Sequence, residues 1–356
     1  MKTKGSRMLA VLLGGISCTA IGSAPLEAKG LLEKIGEAAA KLKQASQAGT
    51  IAESESGIAP GANSAQSPAS ALAPLPGDFG TPDGTARLAA IARSLPDVGG
   101  IRLGMPLGEA QAALQKVVKN EPAQPNYTRL KELPGHDLLE SLSAAWSDPN
   151  AQNGAIAHSD SVSLGFTTYP STESVSYISR SVRYTVQDAP GFLNTQQALI
   201  EKYGEPTLSD PGAEAMLWVY DASGKHVGKS QFVGKYRSTE DLSSGGCERG
   251  QPPSALMALN GIPDNIMRGC SPFAFLYVRL TILPANWPEV QKTSVPGIPK
   301  DWSVYKDWVV ADMDVSFRDF PLGLSGAQAL RTAALDVDRS KQAQEAEKAK
   351  QRQPDL

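Results

Sequence analysis

Histidine and cysteine are scarce in this chain, three of each among 356 residues. The scarcity narrows the chemistry. A structural zinc module needs four ligands at set spacing, and Cys18, Cys247 and Cys270 have no such company in the sequence. His136, His158 and His226 sit in no HExxH arrangement, and no Gly-x-Ser-x-Gly elbow presents a nucleophile. Charge of one sign is also missing. The net charge is -3, too small to argue for nucleic acid or for strong attraction to an anionic membrane. No metal or cofactor is implied.

Long apolar runs are missing as well. The run from Met8 to Ile21 is shorter than the roughly 20 residues a spanning helix needs. Lys2, Lys4 and Arg7 precede it, and small residues follow as far as Ala28. Together these make residues 1–28 a secretory signal peptide, with cleavage expected after Ala28. Cleavage after Ala24 would place Pro25 behind the cut. Cys18 raises lipidation as an alternative, but Gly15-Ile16-Ser17 lacks the Leu three residues ahead that a lipoprotein signal carries. The expected location is periplasmic or secreted, with no transmembrane segment in the mature chain. Two cysteines, Cys247 and Cys270, then remain in an oxidising compartment, and they read as one disulfide. In the chain-entropy model such a loop gains roughly 3 kcal/mol.

Periodicity divides the rest. Leu31, Leu32, Ile35, Ala38, Ala39 and Leu42 recur at helical spacing, so residues 29–48 read as an amphipathic helix. Residues 49–80 are rich in Ala, Ser, Pro and Gly and read as a flexible linker. A globular α+β domain is expected over 81–335, and a polar helical tail over 336–356. Within the domain, helices are expected near Thr85–Ser94, from Leu107 to Val118, over 195–203 and from Ser325; Asp137–Ala145 also reads as helical. Strands are expected where the period falls to two, at Val162–Phe166, Ile178–Val186 and in Trp308–Phe317, and also at Ala215–Asp221, His226–Tyr236 and Phe273–Leu283, the last apolar on both faces and so central. Strands with one polar side and no regular βαβ spacing predict an antiparallel sheet with helices packed on one face.

Two pieces resemble a recurring pattern of envelope proteins. Gly104-Met105 opens one helix, and Lys202-Tyr203-Gly204-Glu205-Pro206 closes another before Met216-Leu217-Trp218-Val219-Tyr220. This is similar to the SmpA/BamE-type outer-membrane-assembly lipoproteins and to folds like the β-lactamase inhibitor protein. The resemblance implies helices on one antiparallel sheet and a binding or scaffolding role. It implies no functional residue. The sequence departs from the small lipoproteins in placing two apparent strands between the two helices.

Candidate sites are few. Ser223-Gly224-Lys225-His226-Val227-Gly228-Lys229-Ser230 nearly spells a P-loop, but the first glycine is displaced and a strand-like segment follows where a helix must open. If that segment is a strand, Lys225, Lys229, Lys235 and Arg237 share one face. Such a strip suits an anionic polymer or partner; it equally suits an edge strand blunted against aggregation. Asp312, Asp314 and Asp319 lack the glycine-containing loop of an EF-hand. The favoured function is a non-catalytic periplasmic envelope protein that binds a protein or an anionic surface polymer through an exposed sheet face or the cationic strip. The alternative is a periplasmic hydrolase whose site includes His158 and Asp160.

Overall fold

The computed structural model describes residues 75, 77–119, 121–148, 158–185, 187–210, 214–232, 272–285 and 307–351. Two helices come first, α1 (Pro82–Ala92) and α2 (Leu107–Val117). Strands β1 (Gln124–Arg129), β2 (Asp137–Ser147), β3 (Ser159–Phe166) and β4 (Val175–Arg183) follow. Then come α3 (Phe192–Tyr203), β5 (Leu208–Ser209), β6 (Ala215–Asp221), β7 (Phe273–Pro284), β8 (Trp308–Asp319) and α4 (Phe320–Gln351). The eight strands form one sheet, in the order β1-β2-β3-β4-β8-β7-β6-β5. Every pairing is antiparallel. The chain thus runs helix then four-strand meander twice, and the two meanders join along β4 and β8. The expected α+β class, an antiparallel sheet carrying helices, is the fold observed.

One face of the sheet holds the main core. Met216, Trp218, Ala274, Leu276, Val278, Phe317, Ile178, Leu164 and Leu142 lie on it, with Leu88 and Ala92 of α1, Leu114 of α2 and Phe192 and Leu199 of α3 packed above. Trp218 is fully buried, and its indole Nε1 donates to the Gly204 carbonyl at 2.8 Å. That bond ties β6 to the end of α3, where Gly204 adopts φ +80 and stops the helix as its sequence predicts.

The neighbouring residues of β6 and β7 point to the other face. Leu217, Val219, Phe273 and Phe275 cluster there with Phe320 and Leu324 of α4. Further along, Leu130, Leu133 and Leu138 meet Ala327, Leu330 and Ala334. Helix α4 therefore closes parts of the second face. It begins at Phe320, five residues before Ser325, because Asp319 caps it: its Oδ1 accepts from the Leu322 amide at 2.8 Å. From Asp338 to Gln351 the helix is exposed, as its lack of an apolar side predicts.

Three expectations need correction. Asp137–Ala145 is strand, not helix. Asn126 pairs with Ser141 and Tyr127 with Leu139, so Glu140 is left over as a bulge. The extra residue puts Leu139, Leu142 and Ala144 in the main core and mimics a helical period in the sequence. Four strands, not two, therefore separate α2 from α3. Next, the linker does not extend to residue 80. Phe79 packs against both core clusters, and the Gly80 amide donates to Ser325 Oγ at 3.0 Å. Finally, the segment after His226 is not a strand as far as Phe232. A single bridge joins His226 to Tyr220, and the chain turns again at Gly228, whose carbonyl accepts from Gln231 and Phe232. The signal peptide, the 29–48 helix, most of the 49–80 segment and Cys247 and Cys270 lie outside the described residues.

Gly104, from the Gly-Met turn, is held in a tight place. Its φ is +73 and a Cβ there would overlap the Ala89 carbonyl oxygen, which cannot move without α1. Its amide donates to Val175 at 2.7 Å, and its carbonyl accepts from Arg93 Nε at 2.8 Å. Gly104→Ala is expected to destabilise the fold by about 3 kcal/mol, from left-handed strain plus the backbone clash. Chemical denaturation would check this; a loss under 1 kcal/mol would mean that the turn relaxes.

Candidate functional site

Among the described residues nothing covers the middle of the second face, and its composition is unusual. Gln124 pairs with Ser143, Ser143 with Ser163, Ser163 with Ser179, Ser179 with Ser316 and Ser316 with Tyr277. Four serines thus stand side by side on β2, β3, β4 and β8. At the usual strand spacing this row is about 14 Å long. One step along the strands runs a second row: Ala145, Ser161, Ser181, Asp314 and Arg279. Side chains this short leave the sheet low, and longer ones rise around it.

Two shallow depressions share Ser179. The first, about 460 Å³, lies over the serines and reaches Glu121 and Pro122. The second, about 250 Å³, is bounded by Tyr177, Tyr277, Arg279, Asp314 and Arg318. The Arg318 guanidinium lies 5.1 Å from the Tyr177 ring centre. At one end Arg183 Nε donates to Asp312 Oδ1 at 2.8 Å. That hydrogen bond, with the charge of Asp312, raises the Arg183 pKa. The charges of the open face are mixed, and both tyrosines are half-buried, each offering a ring edge to a partner.

The residues singled out from sequence are not brought together. Lys225 sits in the hairpin turn after β6, where Asp221 Oδ1 accepts from its amide at 3.1 Å and from the Ser223 amide at 2.9 Å. That turn falls at Ala222-Ser223-Gly224, with Gly224 at φ +81. Lys229 lies in the following turn, so it does not share a strand with Lys225. Lys235 and Arg237 lie outside the described residues, as do Cys247 and Cys270. The open face was legible only as the polar sides of single strands. Its lateral register depends on pairings remote in sequence.

The histidines occupy ordinary places. His136 stacks on Tyr169, ring centres 4.0 Å apart. His226 Nε2 is 3.2 Å from Thr207 Oγ1, and burial lowers its pKa. His158 lies 3.8 Å from Asp188, between the rings of Trp146 and Tyr184. Asp160 does not orient it: its carboxylate oxygens accept from Arg180, 3.1 Å from Nε and 2.6 Å from Nη2. No cluster of three or more metal-ligating side chains occurs among the described residues. No described helix is long and apolar enough to cross a membrane. No family model, no curated protein and no solved structure matches this chain.

Proposed function

We propose that this chain is a non-catalytic envelope protein that binds a folded partner protein through the open sheet face. The carrying observation is the four-serine row, bounded by Tyr177, Tyr277 and Arg279. The short side chains of the row admit close approach of another surface, and the neighbouring Tyr177, Tyr277 and Arg279 are of the residue types that most often anchor protein interfaces. Its mixed charge favours a protein over an anionic polymer. The secretory signal read from residues 1–28 supports a periplasmic or secreted setting. Hydrolysis involving His158 and Asp160 gains no support, since Asp160 is engaged by Arg180.

The test is affinity capture from envelope extracts with two sets of variants. Ser163→Arg and Ser179→Arg place long side chains on the open face without touching the core, and they are expected to lose the captured protein. Lys225→Glu with Lys229→Glu is expected to retain it. Loss only in the lysine variant would move the site to the turns. A hydrolytic activity abolished by His158→Ala would replace the binding reading.

A further inference from the structure

A separate depression lies on the helix-bearing face, between α3 and the strands β4 and β8. It is as open as the depressions on the other face, with a volume of about 390 Å³, within the size range of small-molecule sites. Val98, Leu199, Met313 and Val315 make its apolar lining. Its charged lining is of one sign. Arg180 comes from β4 and Lys202 from the last turn of α3, and no carboxylate lines the cleft among the described residues.

The counter-ions lie outside that lining. Asp160 accepts from Nε and Nη2 of Arg180. Asp97 accepts from Lys202 Nζ at 3.0 Å, and its backbone carbonyl accepts from the Tyr203 hydroxyl at 3.0 Å. These bonds fix both cations at the cleft wall. Pairing with Asp160 leaves the third guanidinium nitrogen, Nη1, outside the ion pair. Nη1 sits against Gly99, where a Cβ would come within 2.7 Å of it. A side chain at 99 would crowd that nitrogen, and Gly99 and Arg180 both line the depression.

We propose that this cleft binds a small anionic amphiphile, with a carboxylate on Arg180 Nη1 beside Lys202 and an acyl body along Met313 and Val315. An inorganic anion would leave the apolar lining wet, and a neutral alkyl chain would bury guanidinium N–H groups without an acceptor. The carboxylate supplies a charge-assisted acceptor at that nitrogen. The site is independent of the open sheet face, on the opposite side of the sheet.

The experiment is a titration of ¹³C-methyl-methionine-labelled protein with decanoate, followed by NMR. Decyl maltoside, with the same chain and a neutral head, is titrated in parallel, both below their aggregation concentrations. Decanoate is expected to shift the Met313 methyl saturably while leaving the buried Met216 methyl unmoved, and to bind at least tenfold more tightly than decyl maltoside. Ala198→Trp, at an exposed α3 position on the lip of the cleft, is expected to weaken decanoate at least tenfold, with the buried Met216 methyl unmoved in its absence. The proposal is overturned by no Met313 response, by equal affinity for the two head groups, or by undiminished binding to the Trp variant.

Discussion

Asp319→Asn is expected to stabilise the protein above pH 7 and to change little near pH 4. Asp319 is buried at the junction of β8 and α4. Burial pushes its carboxyl up to about 7, opposed by the hydrogen bond it accepts from the Leu322 amide. The ordinary aspartate value, that of the unfolded chain, is 3.8, so between these limits the native state binds a proton that the unfolded chain does not. Stability from this group is therefore fully present below about pH 4, falls as pH rises through this window, and is gone, with no further loss, above about pH 7. A gap of about three units corresponds to about 4 kcal/mol. Asparagine caps a helix as well as aspartate does and carries no charge to desolvate. Urea denaturation at pH 4.5 and pH 8 measures the effect as the difference between wild type and variant at each pH, which cancels the other titrating groups. A variant no more stable than wild type at pH 8 would mean that water or a neighbouring cation compensates the Asp319 carboxylate.

Arg180→Met is expected to cost about 3 kcal/mol, and Asp160→Leu in the same chain to restore most of it. The Arg180–Asp160 pair is a two-point bond between adjacent strands under the helix layer, with Asp160 7% exposed. Burial by itself would lower the Arg180 pKa, but the hydrogen bonds and charge of Asp160 raise it. Removing the arginine strands a nearly buried carboxylate, and that is the costly event. Removing both leaves an apolar pair facing the main core, which is close to neutral. A double-mutant cycle by chemical denaturation should give a coupling of about 2 kcal/mol or more. Additive single losses would show that the pair contributes nothing beyond its packing.

The sequence determined what local periodicity can determine. Alternation at Val162–Phe166, Ile178–Val186 and Met313–Phe317 marked strands, and Gly204 with Pro206 marked the end of α3, because side-chain direction and glycine's conformational freedom are properties of a few adjacent residues. Mixed polar and apolar sides also marked the sheet as antiparallel, with one wet surface. Tertiary structure decided the rest. The bulge at Glu140 exists only through β1, its partner, so a helical spacing concealed a strand. Helix α4 begins at Phe320 because Asp319 caps it, and Gly326, having no Cβ, lets Thr167 pack closely against it. Ser163, Ser179 and Ser316 looked like scattered polar positions; pairing of β3 with β4, and of β4 with β8 over 130 residues further along, set them in one row. Arg180 and Lys202, likewise, became the two cations of one cleft only when α3 packed across β4. Register and packing join residues far apart in the chain, and no short-range pattern encodes which of them will meet.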